Sequence, residues 1–461
     1  MTGLIEQSIA SVWNRLRAPK GKLLRDGLLV GSAVEDGKLL HPVYIPHDSR
    51  SEHIAVGGKT GQGKSFLIRN FLRQDVESDR GFLLGDLHGD LTPFALKLIA
   101  ARERLTRRDL SSRLIVVDPA DPSFSVGLNV LEGGHANPFV QIAEFTQILK
   151  KRWHLDSFGA RTEELLRNSL HVLADNNLTL VELGPLLSNE AFRTACMARV
   201  SNAEVSGYFR LRFGAASEAM QAVMREPILN KVSAFTADPH FRHILGQQRS
   251  TFSLAEAMDR GAWIILHLNK GQLGENAVTL AALLILKLKN ALFSRHSRSL
   301  FSWYLDEVQN LAAIDNDIET VLSEARKFGI SVVFANQFSA QLPVSMQAAA
   351  AAVGTHIYFQ LSSGDADKAA SALDGGKRLS SLLKNLPRRH VVVKSGSDHW
   401  AEVQVSRVPV VASDASDLLA RVRARWSVPR QQVEQEIAAR LAAFRAPQNP
   451  TTTAEALHDW D

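Results

Sequence analysis

The feature that most constrains the fold of this 461-residue chain is H-I-A-V-G-G-K-T-G-Q-G-K-S, residues 53–65. It contains the pattern G-x-x-x-x-G-K-S, whose defined positions are Gly58, Gly63, Lys64 and Ser65. The preceding residues 54–57 are small or branched and apolar, which is typical of a strand buried on both faces. Residues 66–72 then show the apolar period of a helix. The strand, loop and helix context predicts a phosphate-binding loop in an α/β fold, and it disfavours the alternative of a glycine-rich turn with a chance lysine.

The residue types of this loop suit the polyphosphate of a nucleotide. Glycines let the backbone curl with its N–H groups facing inward, so that the loop and the helix N-terminus can cradle phosphate oxygens. The Lys64 ammonium can neutralise the β- and γ-phosphates, and the Ser65 hydroxyl can join the ligands of Mg²⁺. The sequence therefore predicts ATP and Mg²⁺ as cofactors. The predicted nucleotide-binding residues are Gly58, Thr60, Gly61, Gly63, Lys64 and Ser65.

Charge and cysteine content restrict the functional classes only weakly. The chain has 53 basic and 48 acidic side chains, a formal balance of +5, so a nucleic-acid partner must be argued from local features. The single cysteine, Cys196, cannot form an internal disulfide and favours a reducing cytosol, where we expect a small core or surface residue and not a nucleophile. The most apolar stretch, 277–293, is interrupted by Lys287 and Lys289, which predicts a buried helix and not a membrane span. The N-terminus lacks the apolar core of a signal peptide, so we expect a cytoplasmic protein.

The two ends of the chain carry patterns of their own. Residues 1–26 form an amphipathic segment with a basic flank, which could lie on a membrane surface, on a partner, or on its own domain or a neighbouring subunit. Residues 27–46 predict a hairpin. At the other end we expect helices over 411–446 and an exposed tail over 447–461.

A second buried strand is predicted at 81–86, followed by a helix capped at Thr92 with a proline in its first turn. Asp86, His88 and Asp90 lie close together after this strand. They could bind a metal directly, but side chains at the carboxyl end of a strand more often shape the edge of an active site.

From 136 to 260 the pattern changes to successive helices, and strand patterns resume at 261–268. This predicts an all-α domain of residues 136–260 inserted into a sheet domain made of 27–135 and 261–410. Basic residues and aromatic residues are clustered in the insertion: Lys150, Lys151, Arg152, Arg161 and Arg167 with Trp153 and Phe158. Such a cluster suits single-stranded nucleic acid, and a charged helix face with core aromatics explains it equally well.

An acidic pair completes the predicted site. The apolar strand 301–305 ends on Asp306 and Glu307. Because this pair lies downstream of a phosphate loop that a predicted strand and helix flank, Asp306 is expected to hold the Mg²⁺ coordination shell and Glu307 to polarise the attacking water.

The segment after the acidic pair predicts a helix over 317–329 and a buried strand over 330–337. Arg326 and Lys327 fall in the last helical turn, where basic side chains favour the helix dipole. The functional alternative is a cation for the γ-phosphate, supplied in trans if the protein is a ring. Gln337, at the end of the strand, can hydrogen-bond phosphate or water and so sense hydrolysis.

Together these segments resemble the HerA-FtsK superfamily of RecA-like ring ATPases. Within it, the nearest resemblance is to the coupling proteins of conjugative type IV secretion systems and to HerA-type DNA translocases. The resemblance extends over roughly residues 27–405, and 322–337 (L-S-E-A-R-K-F-G-I-S-V-V-F-A-N-Q) is its most specific part. The segments that carry it are 53–65, 81–91, 127–131, 304–311 and 322–337.

The resemblance implies a RecA-like domain with a mostly parallel sheet flanked by helices. It further implies a homo-hexameric motor with nucleotide at the subunit interfaces, pulling DNA through a central channel without strong sequence preference. The implied catalytic residues are Glu307 as base, Arg326 as the finger reaching a neighbour's nucleotide, and Gln337 as γ-phosphate sensor; Ser65 and Asp306 would serve the metal. The helical insertion matches the all-α domain that coupling proteins use for substrate recognition.

One departure leaves alternatives open. Coupling proteins typically begin with transmembrane helices, and this sequence shows none, so it either reaches the inner membrane through secretion-complex partners or is a soluble relative. The alternatives are a secretion ATPase acting on protein substrates and a HerA-like motor or scaffold working with a partner nuclease. The presence of both Glu307 and Arg326 argues against a scaffold without ATPase activity.

Overall fold

The computed structural model describes residues 27–132, 137–153, 159–274, 276–308, 317–337, 342–396 and 399–443, with the backbone alone at 151–153, 234–235, 317–320, 345 and 443. The amphipathic segment 1–26 and the tail 447–461 lie outside these ranges, so both stay predictions.

An 11-stranded sheet organises the chain, in the order β2-β1-β12-β11-β10-β3-β9-β8-β4-β7-β5, and β6 and β13 form a separate two-stranded sheet. The strands are β1 (Gly27–Glu35), β2 (Lys38–Pro46), β3 (Ile54–Gly57), β4 (Phe82–Asp86), β5 (Leu114–Val117), β6 (Phe124–Ser125), β7 (Trp263–His267), β8 (Phe301–Leu305), β9 (Ile330–Asn336), β10 (Thr355–Tyr358), β11 (His390–Ser395), β12 (Ala401–Val405) and β13 (Val428–Pro429). Pairing is parallel from β10 to β5 and antiparallel from β10 to β2. The α/β fold with a mostly parallel sheet is confirmed.

Three helices follow the first strands: α1 (His47–Arg50), α2 (Lys64–Glu77) and α3 (Leu91–Thr106). Between β6 and β7 the chain is helical: α4 (Pro138–Trp153), α5 (Ala160–Asp175), a 3₁₀ turn (Leu180–Glu182), α6 (Leu183–Ser188), α7 (Glu190–Met197), α8 (Ala203–Gly207), a π-helical turn (Tyr208–Phe213), α9 (Glu218–Thr236), α10 (Pro239–Leu245) and α11 (Leu254–Asp259). The remaining helices are α12 (Lys270–Leu273), α13 (Asn276–Phe293), α14 (Asp317–Glu324), a 3₁₀ turn (Ala325–Phe328), α15 (Val344–Ala351), α16 (Ser363–Ala372), α17 (Gly376–Asn385), α18 (Ser416–Trp426) and α19 (Arg430–Ala443).

The central strands are apolar because both faces of the sheet are covered. β3 and β8 are buried along their whole length. Alternate residues serve opposite faces: Trp303 and Leu305 pack into the cluster that contains α13, whereas Tyr304 packs into the cluster that contains α2 and α3. The resulting three layers hold the loops after the parallel strands at one edge of the sheet, where ligands bind in folds of this type.

Four of the helices between β6 and β7, α7, α9, α10 and α11, begin at polar side chains that cap their first backbone N–H groups. The capping residues Asn189, Ser217, Asp238 and Ser253 each accept a hydrogen bond from an N–H in the first turn. These short sequence signals delimit the helices that the apolar periodicity predicts.

The apolar residues of these helices are continuous with one face of the sheet, because a single cluster includes residues of α4, α5 and α9 as well as β4, β7 and β8. Cys196 is fully buried in it, and burial raises the pKa of its thiol to about 11, which suits a packing residue and not a nucleophile. The C-terminal helix α19 also docks here, through Arg440 Nη2 and the buried Glu182 Oε1 at 3.0 Å and through Arg242 Nη2 and Glu434 Oε1 at 3.1 Å.

Helix α13 is the one helix, among the residues described, that is long and apolar enough to cross a membrane, with a mean hydropathy of 1.4. Of that stretch, 72% is buried inside the protein. Its two lysines are accommodated differently: Lys289 Nζ lies 2.8 Å from Glu144 Oε1, and burial lowers the pKa of Lys287 to about 8. These contacts are those of a core helix.

The structure corrects the predicted start of α3. The helix begins at Leu91, and Thr92 lies inside its first turn instead of capping it. The backbone N–H and the hydroxyl of Thr92 both donate to Asp86 Oδ2, at 2.7 Å each. A carboxylate from the end of β4 therefore does the work that the sequence pattern attributes to Thr92, because it can reach two donors at once.

A buried polar network ties three elements together in the core. Arg50 and Asp75 form a bidentate pair with both distances 2.8 Å, and their side chains are 0% and 1% exposed. The Tyr304 hydroxyl donates to Asp75 Oδ2 at 2.5 Å, and Arg50 Nη2 donates to Ser302 Oγ at 2.7 Å. Asp75 lies on α2, which follows the phosphate loop, while Ser302 and Tyr304 lie on β8, which leads to the acidic pair.

Candidate nucleotide-binding site

The predicted phosphate loop connects β3 to α2 and has the backbone that its glycines permit. Gly61 and Gly63 have φ values of 78° and 124°, which a residue with a side chain rarely adopts. At Gly58 a Cβ would come within 2.6 Å of Phe359 Cβ, so the backbone is packed too closely for any side chain. The loop is thus fixed in a conformation that requires glycine, with Thr60 and Gly61 exposed to solvent just before the N-terminus of α2, where anions bind favourably.

Lys64 lies inside this loop. Its Nζ donates to the carbonyl oxygen of Gly58 at 2.6 Å and to that of Lys59 at 3.2 Å. Burial lowers the pKa of Lys64, and the nearby carboxylates of Asp306 and Glu307 partly offset that effect. An ammonium held this way faces the position that the loop offers to phosphate oxygens.

The first half of the acidic pair reaches the loop. Asp306, 5% exposed at the end of β8, lies with Oδ2 3.4 Å from the Ser65 hydroxyl. Burial raises the pKa of Asp306 to about 6, and the negative charges of Asp90 and Glu307 add to the effect. A buried carboxylate beside two others favours a divalent cation, and an Asp carboxylate with a Ser hydroxyl is the donor set that Mg²⁺ takes in phosphate-loop sites.

Glu307 is held by two side chains. Its Oε1 lies 3.0 Å from Gln337 Nε2 and 2.7 Å from His88 Nε2. Glu307 has a φ of 54°, a left-handed conformation that is costly for a residue with a side chain and that concentrates at functional sites. Gln337 also accepts a hydrogen bond from the Thr60 hydroxyl through its Oε1, at 2.9 Å. The predicted sensor therefore bridges the phosphate loop and the predicted base.

The three acidic and histidine residues at the end of β4, Asp86, His88 and Asp90, have separate roles. Asp86 accepts from Gly89 N at 2.8 Å in addition to capping α3, and Asp90 pairs with Arg69 at 3.1 Å. Burial lowers the pKa of His88, but its hydrogen bond to Glu307 and the surrounding carboxylates outweigh this and raise it. Within the ranges described, no group of three or more His, Cys, Asp and Glu side chains could hold a metal ion by itself. His88 and Asp90 line the cleft and Asp86 bonds the turn that carries them, which fits the favoured alternative that these residues shape the edge of the site.

Arg326 lies outside this cleft. It is in the 3₁₀ turn before β9, at the amino ends of the parallel strands, whereas the phosphate loop follows the carboxyl end of β3. The length of β3, roughly 13 Å, separates the two edges. Its Nη2 lies 2.9 Å from Glu52 Oε1, and its side chain is 62% exposed. The structure thus brings the other predicted catalytic residues together and leaves Arg326 on the opposite edge.

The cleft contains basic residues that no motif indicated. Arg388 and Arg389, in the turn before β11, line it together with Arg69 and Phe66. The Arg389 guanidinium lies 4.8 Å from the centre of the Phe66 ring. The sequence does show two adjacent arginines immediately before a strand. Such a pair is too common, however, to identify a site unless the fold is known.

The cleft measures about 520 Å³ and fits the predicted cofactors. It combines a glycine-rich cradle, a lysine within the loop, a hydroxyl beside a buried carboxylate, and a second carboxylate oriented by an amide. These donors match the polyphosphate of ATP and Mg²⁺. Lys64 and Ser65 would hold the phosphates, and Ser65 and Asp306 the metal ion, which would neutralise the charge developing on the phosphates.

The basic cluster of the insertion is only partly described, because the side chains of Lys151, Arg152 and Trp153 and all of Phe158 lie outside the described part of the chain. Lys150 Nζ pairs with Glu163 at 2.7 Å, and Arg161 Nη1 contacts the Met220 sulfur at 3.5 Å. Arg161 and Arg167 are exposed on α5. These contacts fit a charged helix face and leave the nucleic-acid alternative open.

The fold and the site together define a RecA-like P-loop ATPase of the HerA-FtsK superfamily. The chain belongs to the type IV secretion-system coupling protein family, since residues 40–424 match the model of that family's DNA-binding domain. No curated protein has a significant sequence match to the chain.

Solved structures of this class share the fold. Unbound bacterial conjugative coupling protein TrwBdeltaN70 has a TM-score of 0.57 at 16% identity, over 87% of this chain and 92% of its own. TrwB in complex with the ATP analogue ADPNP has a TM-score of 0.59 at 17% identity, over 86% and 98%. VirB4 of Thermoanaerobacter pseudethanolicus has a TM-score of 0.55 at 14% identity, over 84% and 98%.

Proposed function

We propose that this protein is an ATP-driven motor that translocates DNA as a homo-hexameric ring, in the manner of a conjugative coupling protein. The observation that carries the proposal is the division of the catalytic residues between two edges of one sheet. The cleft after β3, β8 and β9 holds Lys64, Glu307 and Gln337, whereas Arg326 lies at the other ends of the strands.

Within one subunit, the side chains have complementary roles. Lys64 binds the β- and γ-phosphates, and Ser65 with Asp306 holds Mg²⁺. Glu307, kept in place by Gln337, orients and polarises the attacking water. Gln337 also contacts Thr60 of the loop, so a change at the γ-phosphate alters a hydrogen bond that the predicted base shares.

In this proposal a second cation, the Arg326 guanidinium, reaches the γ-phosphate from a neighbouring subunit. Arg326 is exposed and lies across the sheet from its own cleft, which suits a finger that acts in trans. A ring in which the amino-end edge of one subunit faces the cleft of the next would bring Arg326 to the γ-phosphate. Such an arrangement makes hydrolysis dependent on assembly.

DNA is the proposed substrate because the matching family model is a DNA-binding domain. We expect binding mainly through phosphates, with little sequence preference and a steep dependence on salt. The helical insertion of residues 136–260 is the proposed site of substrate recognition, and its exposed Arg161 and Arg167 are the first residues to test. We further propose a cytoplasmic location, with attachment to the inner membrane through partner proteins.

A protein substrate is the second candidate. The fold is shared with VirB4 as well as with TrwB at nearly equal TM-scores, 0.55 and 0.57. The nucleotide site is the same in either case, so the substrate must be identified by its effect on turnover.

The test is steady-state ATP hydrolysis by the purified protein with no DNA, with single-stranded DNA and with double-stranded DNA, each at low and moderate salt. Stimulation by DNA that fades as salt rises supports the motor, and the more effective strand form identifies the substrate. Arg161→Ala combined with Arg167→Ala should reduce the stimulation without changing the basal rate. Hydrolysis that is indifferent to DNA at both salt concentrations contradicts DNA translocation and favours a protein substrate.

A further inference from the structure

The nucleotide cleft has two sides that the strand order distinguishes. β9 and β8, which are followed directly by Gln337 and Asp306, lie on one side of β3, and β10 and β11 lie on the other. The hydrolytic residues all come from the first side. Arg388 and Arg389 line the cleft from the second side, through the turn before β11.

The backbone of Arg389 is fixed against the phosphate loop. Its N–H donates to the carbonyl oxygen of Gln62 at 3.1 Å, and its carbonyl accepts from Val405 N at 2.9 Å. Its φ is 66°, a left-handed value that a residue with a long side chain adopts only where its surroundings impose it. The turn thus holds Arg389 in a defined place beside the loop.

The side chain of Arg389 extends over the first turn of α2. Its guanidinium lies 4.8 Å from the centre of the Phe66 ring, and its Cγ lies 3.7 Å from the position that a Cβ on Gly63 would take. In the described part of the chain, no carboxylate lies within ion-pair distance of it, whereas Arg69 of the same cleft is paired with Asp90 and Arg326 with Glu52. Arg389 is therefore a positioned cation with its hydrogen-bonding capacity available to a ligand.

The order of residues along α2 indicates which part of the ligand lies here. Lys64 and Ser65 face the acidic pair and take the β- and γ-phosphates and the metal ion. Phe66 is the next residue after Ser65. The Arg389 guanidinium, which lies over the Phe66 ring, is therefore beside a part of the nucleotide that is further from Asp306 than the β- and γ-phosphates are. We propose that Arg389, stacked on Phe66, binds the α-phosphate of a nucleoside di- or triphosphate. The inference rests on the nucleotide-binding function proposed above.

This role differs from that of Arg326 in its kinetic signature. An α-phosphate contact is present in ATP, in ADP and in the transition state alike, so its loss raises KM and leaves kcat nearly unchanged. Loss of a γ-phosphate contact made in the transition state lowers kcat. The two arginines can therefore be separated by one set of rate measurements.

The direct test is the affinity for ADP with Mg²⁺, measured by isothermal titration calorimetry on the full chain. Arg389→Ala should weaken ADP binding by about ten-fold to a hundred-fold, the loss expected for a hydrogen bond to a charged group. Arg389→Lys should recover part of the affinity, because it keeps the charge but not the planar stacking on Phe66. Arg378→Ala is the matched control: this exposed arginine also lies over an aromatic ring, Trp400 at 6.0 Å, but on α17 outside the cleft, and its removal should leave ADP affinity unchanged.

Three results decide the matter. ADP affinity of Arg389→Ala within about two-fold of the unmodified protein, with the same thermal unfolding temperature in the absence of nucleotide, overturns the inference. A lowered kcat with unchanged ADP affinity also overturns it, since Arg389 would then act on the γ-phosphate. Lys64→Ala distinguishes the underlying function: if that variant binds ADP normally, the nucleotide site itself is misassigned, whatever Arg389 does.

Discussion

The two edges of the parallel strands differ in how firmly they hold their functional side chains. At the carboxyl ends, Glu307 is 15% exposed and is bound by both His88 and Gln337. At the amino ends, Arg326 is 62% exposed and pairs with one carboxylate of the described residues, Glu52. Groups that act within a subunit are pre-organised by their neighbours, whereas a group that acts on another subunit must leave its resting contact. The difference is expected of a site that is completed only on assembly.

The largest expected effect is at the exposed edge. Arg326→Ala should lower ATP hydrolysis by about 10³-fold or more, because the finger stabilises charge in the transition state, while ADP affinity stays unchanged. Lys327→Ala, at the adjacent exposed position, is the control and should retain hydrolysis. Mixing Arg326→Ala with Lys64→Ala subunits should restore some activity, since mixed rings contain complete interfaces; no restoration at any ratio contradicts action in trans.

A somewhat smaller effect is expected at the enclosed edge. Glu307→Gln keeps the oxygen that accepts from His88 and Gln337 but removes the negative charge, so hydrolysis should fall by about 10²- to 10⁴-fold with ATP binding preserved. Filter binding of ATP and single-turnover hydrolysis measure the two separately. Normal hydrolysis by this variant shows that another group activates the water.

The contribution that His53, a buried residue near Arg326, makes to the free energy of unfolding should depend on pH. His53 is 3% exposed; its Nδ1 accepts from Val332 N at 3.1 Å, and its Nε2 donates to Leu322 O at 2.8 Å. Burial lowers the pKa of His53 from 6.5 to about 4, and the nearby Arg326 adds to this. The unfolded chain therefore binds the proton more readily, so this contribution to stability is complete above pH 6.5 and is lost as pH falls toward 4, by up to about 3 kcal/mol.

Urea unfolding at pH 7 and pH 5 measures this loss. His53→Asn, which tolerates the left-handed φ of 69° at this position, should reduce the difference between the two pH values. His41→Asn, at an exposed position on β2, should leave it unchanged. An unchanged difference in His53→Asn assigns the acid sensitivity to other groups.

The smallest effect is expected for the ion pair between Glu52 and Arg326. Glu52→Gln removes an exposed ion pair with Arg326, so the free energy of unfolding should change by less than about 1 kcal/mol. The same urea titrations at pH 7 measure it. A loss of several kcal/mol means that the amino-end edge is as firmly built as the cleft, and the contrast between the edges disappears.

Much of the fold follows from the sequence because its signals are local. The apolar runs at β3, β4, β8 and β9 and the periodic helices each predict their own element. The start of α3 could not be predicted correctly, since its cap comes from the Asp86 side chain and not from the helix sequence. Strand β12 was missed because its alternating pattern is short and only half-buried.

The residues of the site also divide into those that the sequence predicts and those that only the fold brings together. The phosphate loop and the acidic pair have fixed spacing along the chain, so their residues could be named in advance. The hydrogen bond between Thr60 and Gln337 and the approach of His88 to Glu307 join residues that are distant in sequence, and only the strand order reveals them. Arg389 is further still from the loop along the chain, and its closeness depends on β10 and β11 being added beside β3.

The buried carboxylate of Asp75 has a mechanical consequence. Asp75 lies on α2, the helix that follows the phosphate loop, and the Tyr304 hydroxyl bonds it to β8, the strand that leads to Asp306; Arg50 of α1 pairs with the same carboxylate, in a region that water does not reach. Neither element can slide past the other without leaving a charge unsolvated, which costs several kcal/mol. The two halves of the cleft thus behave as one stiff part, and in the ring proposed above any displacement driven by turnover would be transmitted outward, to the borders between subunits, instead of being absorbed as deformation within the core.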